Sequence, residues 1–215
     1  MPDLAAERLD YSGEQLLETD VPADPYTLFD RWLAAAFQAK DAGLLPEPTA
    51  MVVATTDGGQ PRARTVLLKE VDARGFTFFT NYDSRKGNEL AANPQVALHF
   101  GWYPLQRQVR IEGAASRVPR AESEAYFATR PRGSQLGAWA SRQSSEVASR
   151  DELAQAYAEV ERRFAGRDVP CPEHWGGLRV TPTTIEFWQG QPSRMHDRLA
   201  YRRAVDAWTL VRLAP

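Results

Sequence analysis

Residues 49–80 read TAMVVATTDGGQPRARTVLLKEVDARGFTFFT, and the apolar runs in this stretch decide the fold class. Each run is rich in β-branched, leucine or phenylalanine residues, which favour strands. The runs are Thr49–Thr56, Arg62–Val71 and Phe76–Thr80. Asp57-Gly58-Gly59 and the segment Asp72–Gly75 separate them with residues typical of tight turns. Three strands joined by tight turns predict an antiparallel meander.

The sequence that follows continues the strand pattern. After a short helix over Ser84–Ala92, two further strands are predicted over Gln95–Trp102 and Gln108–Val118. The second of these alternates apolar and charged residues, as a half-buried strand does. Five strands before residue 120 predict a barrel or a strongly curled sheet. The C-terminal third adds strand segments at Leu178–Gln189, Leu199–Arg203 and Trp208–Leu213.

Helical segments flank these strands and do not alternate with them. Asp24 as N-cap and Pro25 at the first position open a helix with one apolar stripe, formed by Leu28, Trp32, Leu33, Ala36 and Phe37. Pro119 begins a second helix that runs through Phe127. The capping box Ser149–Glu152 opens a third, whose apolar face is Leu153, Ala156, Tyr157, Val160 and Phe164. The sequence therefore predicts a mainly β protein with flanking helices (α+β), in which an arm over residues 1–24 precedes a single domain over residues 25–215.

Composition and charge exclude several classes of protein. Of the 215 residues 43% are hydrophobic, which suffices for one well-packed domain. A formal net charge of −2 provides no overall field that would attract nucleic acid or an anionic membrane. The single cysteine, Cys171, and three scattered histidines predict neither a disulfide nor a metal site. No apolar run approaches the roughly 18 residues of a membrane span, and we expect a cytoplasmic protein.

The common glycine-rich phosphate loops and nucleophile motifs are absent from the sequence, so side chains must hold any phosphate. One cluster combines cations with hydroxyl groups: Arg64, Lys69, Thr80, Ser84, Arg85 and Lys86. Its last three residues stand at the start of a predicted helix, where backbone N–H groups and the helix dipole favour an anion. The alternative is a solvated basic turn without a ligand.

Two further groups of residues have both a functional and a structural interpretation. One is spaced i, i+4 and i+8, and comprises Tyr126, Arg130 and Ser134. A continuous helix would place its two hydroxyls and its guanidinium on one face, but Pro131 favours a helix end there. The other group is the pair of segments Glu186–Gly190 and Arg194–Arg198, which join across a glycine-containing turn. Such residues are also common as core aromatics, surface arginines and structurally bonded histidines.

Seven motifs occur in order along the chain. They are R-x-V-L-L-K at Arg64–Lys69, T-N-x-x-S-R-K at Thr80–Lys86, R-Q-V at Arg107–Val109, Y-F-x-x-R-P-R-x-S-Q-x-G-A-W at Tyr126–Trp139, Q-S-S at Gln143–Ser145, E-F-W-Q-G at Glu186–Gly190 and R-x-H-D-R at Arg194–Arg198. Together they closely resemble the pyridoxamine 5′-phosphate oxidase family, from about Arg8 to Pro215. The resemblance implies an FMN-binding split β-barrel that forms a homodimer, with the flavin between the subunits.

The resemblance implies that FMN is the cofactor. The residues at the family's FMN-contact positions are Arg64, Thr65, Val66, Leu67, Leu68, Lys69, Phe79, Thr80, Arg85, Lys86, Gln108, Gln143, Ser144, Trp188 and Arg198. Phe79 stands where tyrosine is common in the family, so a contact made by that hydroxyl would be lost. Arg64 and Lys69 are an odd number of positions apart, so a regular strand would point them to opposite faces. One of the two must reach around a strand end or a bulge.

The resemblance also implies a substrate site. Lys69, Tyr126, Arg130 and Ser134 match positions around the substrate's 5′-phosphate. Arg194 and His196 match the catalytic positions over the pyridine ring, and in an extended segment their side chains would project to the same side. Arg8 and Tyr11 match an arm motif that closes over the active site and contacts the substrate.

The implied activity is FMN-dependent oxidation of pyridoxamine 5′-phosphate and pyridoxine 5′-phosphate to pyridoxal 5′-phosphate, in vitamin B6 biosynthesis and salvage. O₂ is the electron acceptor, and the products include H₂O₂ and, from the amine, NH₃; no metal is implied. Two alternatives are another split-barrel flavin or deazaflavin reductase, and a non-catalytic module that binds flavin or pyridoxal phosphate. Neither alternative gives a reason for the substrate residues to occur together.

Overall fold

A computed structural model describes residues 3–6, 10–205 and 207–215. Within these residues the chain forms five helices: α1 Pro25–Asp41, α2 Arg85–Ala92, α3 Arg120–Thr129, α4 Arg132–Ala140 and α5 Arg150–Arg163. The same residues form nine strands: β1 Ala50–Thr55, β2 Arg62–Leu67, β3 Glu70–Asp72, β4 Gly75–Asn81, β5 Gln95–Trp102, β6 Arg107–Arg117, β7 Trp175–Gln189, β8 Asp197–Arg203 and β9 Trp208–Arg212. The predicted architecture, mainly β with flanking helices, is confirmed.

The strands form one antiparallel sheet that curls into a half-barrel. Its main path runs in the order β2-β1-β5-β6-β7-β4-β3, and β8 and β9 extend from β7. The long strand β7 produces this branch because Trp175–Val180 pairs with β4, whereas Thr184–Gln189 pairs with β8. Strand β6 runs beside both halves of β7, with a shift in register between Glu112 and Gly113. The predicted strong curl of the sheet is therefore present.

The predicted strand Arg62–Val71 and the predicted three-strand meander are wrong. Strand β2 ends before Leu68 and β3 begins after Lys69, and these two strands lie at opposite ends of the sheet path. The backbone N–H of Leu68 donates to the carbonyl of Thr49 at 2.8 Å, and that of Lys69 donates to the carbonyl of Thr77 at 2.9 Å. Two adjacent residues thus connect the two ends of the sheet. Arg64 and Lys69 are on different segments, which removes the conflict over their facing.

Helix α1 covers one end of the sheet, but with a different stripe from the predicted one. Asp24 caps the helix by accepting the N–H of Thr27 at 3.1 Å. Leu28, Trp32 and Ala36 are buried as predicted, whereas Phe37 is 41% exposed. Phe29 is fully buried in its place, and its ring packs edge-on against Phe76 at 5.0 Å. The helix is therefore rotated toward Phe29 and away from Phe37.

A proline separates the two helices that follow β6. Helix α3 ends at Thr129, Arg130 has an extended backbone, and α4 starts at Arg132 with Pro131 as its cap. The helix end at Pro131 was predicted, but α4 was not, because Gly133 and Gly137 lower the helix propensity of that segment. Helix α5 starts at the predicted capping box, where Ser149 Oγ accepts the N–H of Glu152 at 3.2 Å.

Within the part of the chain that the structure describes, two hydrophobic cores form between the sheet and the helices. The larger one lies between the sheet and α1, and the smaller one lies beneath α3, α4 and α5 and consists of Phe127, Leu136, Phe164, Val169 and Trp175. The predicted apolar face of α5 packs on the smaller core only in part, since Leu153 remains 45% exposed. Among the described residues, no helix is long and apolar enough to cross a membrane. No group of three or more potential metal ligands was found in that part of the chain either.

Candidate functional site

A groove of 1110 Å³ lies between the sheet and the helices α2, α3 and α4. It brings together most of the residues that the sequence analysis assigned to cofactor and substrate. These are Arg64, Thr65, Val66, Leu67, Lys69, Phe79, Thr80, Arg85, Lys86, Tyr126, Arg130, Ser134, Gln143 and Ser144. Leu68 is the exception within its motif, because its side chain is buried in the larger core.

Lys86 is the buried cation at one part of this groove. Its Nζ donates to Thr80 Oγ1 at 2.7 Å, to Ser84 Oγ at 3.3 Å and to Gln143 Oε1. No carboxylate in the described part of the chain forms an ion pair with it. Burial, with a smaller effect of the Arg64 charge, lowers the pKa of Lys86 to about 8. An anion in the groove would compensate this charge.

Local structure explains the position of Lys86. Ser84 caps α2 by accepting the N–H of Gly87 at 3.3 Å, so the first turn of the helix faces the groove. Gly87 is required there, because a Cβ would lie 2.0 Å from the carbonyl oxygen of Tyr82. The cationic helix start predicted from Ser84-Arg85-Lys86 is therefore present beside the groove, and Arg85 is its exposed member.

Arg64 is held by a buried carboxylate that the sequence analysis missed. Glu89 accepts from Arg64 Nη2 and from Arg62 Nη1, both at 2.9 Å, and also from the hydroxyl of Thr55. Burial would raise the pKa of Glu89, but these hydrogen bonds and the Arg64 charge outweigh burial and hold the pKa below its usual value. The only sequence signal was an acidic residue on the apolar side of α2, next to Leu90.

Arg130 is the second cation of the groove, and its side chain is half-buried. Its Nη1 is buried and has no hydrogen-bond partner within the described residues. The guanidinium carbon lies 4.5 Å from the ring centroid of Trp175, a residue that the sequence analysis also missed. Burial lowers the pKa of Arg130 from its ordinary value. A buried donor without a partner carries a desolvation cost that a bound anion would remove.

Tyr126 and Ser134 line the groove with Arg130, although the continuous helix that their spacing would need does not form. Tyr126 comes from α3 and stacks on Phe79, with ring centroids 3.9 Å apart. Ser134 comes from the first turn of α4, beyond the break at Pro131. The break changes the direction of the chain, and both hydroxyl-bearing residues still reach the same groove.

Besides Leu68, six more of the assigned residues in the described part of the chain do not line this groove. Tyr11, Trp188 and His196 form a separate aromatic cluster, with centroids 4.6 Å apart for Trp188 and His196 and 5.4 Å for Tyr11 and His196. Gln108 Oε1 is hydrogen-bonded to His99 Nε2. Arg198 forms an ion pair with Glu186, with Nε and Oε1 2.8 Å apart, and Arg194 is exposed. Arg8 lies outside the described residues.

The expectation of an extended segment at Arg194 and His196 is wrong. Ser193 and Arg194 both have left-handed backbone angles, with φ of 56° and 61°, so the chain turns tightly before His196. The backbone N–H of Gln191 donates to His196 Nδ1 at 3.1 Å. The neutral ring therefore carries its proton on Nε2, where it offers a hydrogen-bond donor.

The described part of the N-terminal arm packs on this loop. Tyr11 lies against Gly190, where a Cβ would approach its ring to 2.6 Å. The N–H of Leu16 donates to Asp197 at 3.1 Å, and Arg212 pairs with both Asp197 and Glu18. The arm residues are thus tied to the segment that carries His196 and to the C-terminal strand.

The fold of this chain is similar to that of solved structures of one fold class. The chain superposes on PhzG from Burkholderia lata, solved with tetrahydrophenazine-1-carboxylic acid, with a TM-score of 0.85 at 31% identity over 95% of this chain and 100% of that one. It also matches a pyridoxamine 5′-phosphate oxidase-related, FMN binding protein from Nostoc punctiforme, with a TM-score of 0.71 at 14% identity over 91% of this chain and 100% of that one. The fold therefore defines a protein of the split β-barrel class.

Comparison of sequences narrows the class to a family. Residues 37–164 match the family model described as pyridoxamine 5′-phosphate oxidase, and residues 175–215 match the pyridoxine 5′-phosphate oxidase C-terminal dimerisation region. A pyridoxine/pyridoxamine 5′-phosphate oxidase from Rubrobacter xylanophilus is 56% identical over 99% of this chain and 97% of its own length. One from Thermosynechococcus vestitus is 56% identical over the whole of both chains. The chain belongs to the pyridoxine/pyridoxamine 5′-phosphate oxidase family.

Proposed function

We propose that this enzyme oxidises pyridoxamine 5′-phosphate and pyridoxine 5′-phosphate to pyridoxal 5′-phosphate, with FMN as cofactor and O₂ as electron acceptor. The observation that carries the proposal is a pair of cations in one groove, the buried Lys86 and the half-buried Arg130. Neither is paired with a carboxylate in the described part of the chain. Two separate anion-binding points suit a phosphorylated cofactor and a phosphorylated substrate bound side by side.

The residues around Lys86 fit the phosphate and ribityl chain of FMN. Lys86 and Arg85 would supply charge, while Gln143, Ser144 and Thr80 would supply hydrogen-bonding groups from the same wall of the groove. When bound, FMN supplies the two-electron acceptor that links removal of a hydride from C4′ of the substrate to reduction of O₂ to H₂O₂. Arg64, held by Glu89, would add a rigid positive charge nearby.

The residues around Arg130 would bind and orient the substrate. Arg130 would donate to the 5′-phosphate, and the hydroxyls of Tyr126 and Ser134 and the ammonium of Lys69 would complete its shell. Fixing the phosphate fixes the position of C4′ relative to the flavin, so binding energy is converted into orientation. Hydrolysis of the oxidised amine by water then releases NH₃ and the aldehyde.

We extend the proposal to a homodimer in which each site is completed by a second copy of the chain. Trp188, Arg194, His196 and Arg198 lie outside the groove of their own chain, and all four fall within the region that matches the dimerisation model. A partner copy would bring its own Arg194 and the Nε2–H of its His196 over the substrate ring. Light scattering of the flavin-loaded protein should give the mass of two chains, and a monomeric mass for the active enzyme would contradict this arrangement.

The activity is tested by anaerobic mixing of the flavin-loaded protein with pyridoxamine 5′-phosphate. We expect loss of the flavin's visible absorbance, its return when O₂ is admitted, and formation of pyridoxal 5′-phosphate. A flavin reductase would lose its absorbance with a reduced nicotinamide nucleotide instead, and a non-catalytic module would lose it with neither. Tetrahydrophenazine-1-carboxylic acid, found with the related PhzG, is the matched control ligand because it carries a carboxylate and no phosphate.

A further inference from the structure

Arg130 differs from Arg64, another half-buried arginine of the groove, in what holds its guanidinium. Arg64 is paired with Glu89 at 2.9 Å. Arg130 forms no ion pair within the described residues, and it lies over two aromatic rings. Its guanidinium carbon is 4.5 Å from the centroid of Trp175 and 5.5 Å from that of Phe127.

Trp175 is a rigid support for this contact. Its side chain is 6% exposed, and its ring stacks on that of Phe79, with centroids 5.5 Å apart and an interplanar angle of 15°. Its backbone pairs with Asn81 in β4, and its carbonyl accepts from Arg120 Nη1 at 3.2 Å. The backbone of Trp175 is therefore fixed by the pairing of β7 with β4, and its ring is fixed by the smaller hydrophobic core.

An aromatic face and a carboxylate position an arginine with different consequences. A carboxylate occupies the guanidinium donors, so an incoming phosphate would have to displace it. An aromatic face attracts the cation through its π-electrons and leaves the N–H groups in the guanidinium plane free. The unpartnered Nη1 of Arg130 is the donor that this arrangement leaves available.

We infer that Trp175 is a positioning residue for substrate binding: its ring holds the Arg130 guanidinium in place with its donors free for the phosphate of the substrate. This inference rests on the proposed function, in which Arg130 binds that phosphate. Loss of the ring leaves Arg130 charged and present but no longer oriented, so it weakens phosphate binding and leaves the chemical step intact.

The test compares three variants in flavin-loaded protein. Trp175→Leu removes the aromatic face, and Trp175→Phe keeps a smaller one. Trp139→Leu is the matched control, because Trp139 packs on the same core and has its own arginine, Arg163, 4.9 Å from its ring. Steady-state kinetics with pyridoxamine 5′-phosphate and with unphosphorylated pyridoxamine gives KM and kcat. Calorimetry with pyridoxamine 5′-phosphate under anaerobic conditions gives Kd, and thermal melting and bound FMN report the integrity of each variant.

We expect Trp175→Leu to raise KM and Kd for pyridoxamine 5′-phosphate about tenfold, which corresponds to about 1.4 kcal/mol, with kcat within about twofold. Trp175→Phe should show a smaller rise, and neither variant should change KM for pyridoxamine. Trp139→Leu should leave KM and kcat for both substrates unchanged. If Trp175→Leu does not fold, the rise for Trp175→Phe decides the question.

The inference would be overturned if Trp175→Leu raised KM equally for both substrates, or if Trp139→Leu raised KM for pyridoxamine 5′-phosphate as much as Trp175→Leu does. Unchanged Kd in both Trp175 variants would also overturn it. If wild-type protein binds pyridoxamine 5′-phosphate in calorimetry but never oxidises it, the proposed function fails while the Kd values still decide the role of Trp175. If wild-type protein binds no phosphorylated ligand, both are wrong.

Discussion

Raising the pH from 7 to 9 should weaken the binding of FMN to the apoprotein through Lys86. Burial and the Arg64 charge lower the pKa of this lysine from its ordinary value of 10.5 to about 8. The phosphate of FMN is a dianion at both pH values, since its second pKa is about 6. A bound dianion favours the protonated lysine, so the pKa of Lys86 rises when FMN binds. Affinity must therefore be highest below pH 8 and fall as the pH rises above it.

The magnitude of this effect follows from the fraction of Lys86 that is protonated before FMN binds. That fraction is about nine-tenths at pH 7 and about one-tenth at pH 9. If the dianion restores the pKa of Lys86 to its ordinary range, the association constant should fall about tenfold, which corresponds to about 1.4 kcal/mol.

The assay is titration of apoprotein with FMN at pH 7, 8 and 9, followed by quenching of flavin fluorescence. Riboflavin, which lacks the phosphate, should show no such fall. Lys86→Met should bind FMN weakly and with little dependence on pH, and Lys40→Met at an exposed position should behave as wild type. A constant FMN affinity from pH 7 to 9, or an equal fall for riboflavin, would refute the assignment of Lys86 to the phosphate.

Three further substitutions test the rest of the site. Arg130→Ala should raise KM for pyridoxamine 5′-phosphate about 10²-fold, because it removes charge-assisted bonds worth about 1.5–3 kcal/mol each, and steady-state kinetics should show little change for pyridoxamine. Arg194→Ala should lower kcat/KM about 10²-fold or more with FMN still bound, and His196→Asn should lower kcat/KM by a smaller factor. Near-normal kcat/KM in both variants would show that Arg194 and His196 do not belong to the active site. Glu89→Gln should lower the free energy of unfolding by about 3 kcal/mol, because it removes the buried negative charge that pairs with Arg62 and Arg64. Chemical denaturation measures this loss of free energy, with Glu159→Gln at an exposed position as the control variant.

Local pattern predicted the individual strands well, and the errors arose where pairing is decided between distant residues. Strand β5 has its predicted bounds, because alternation and turn residues around it are local signals. The break at Leu68 and Lys69 has no such signal, since both residues fit a strand by composition. It is imposed by the two separate hydrogen bonds to Thr49 and Thr77, which form only when the sheet curls.

The candidate site shows the same division. Resemblance assigned the residues of the groove, and the structure brings fourteen of them together. The resemblance gave no indication of Glu89 or Trp175, because each acts through another residue and not through a motif of its own. The extended path assumed for Arg194 was wrong because the left-handed angles of Ser193 and Arg194 are set by the loop and not by residue type.

The double pairing of β7 has a consequence for how the chain folds. Strands β1 and β2, and β3 and β4, are joined by short turns and can form hairpins as soon as residues 49–80 leave the ribosome. Within the described residues, the other side of β4 pairs with β7 alone, which lies about a hundred residues further along the chain, as in the pair Phe78 and Leu178. Until Trp175–Gln189 is synthesised, the free edges of β4 and β6 are open to pairing with other chains. The nascent protein is therefore most prone to aggregation in the interval before β7 inserts between them.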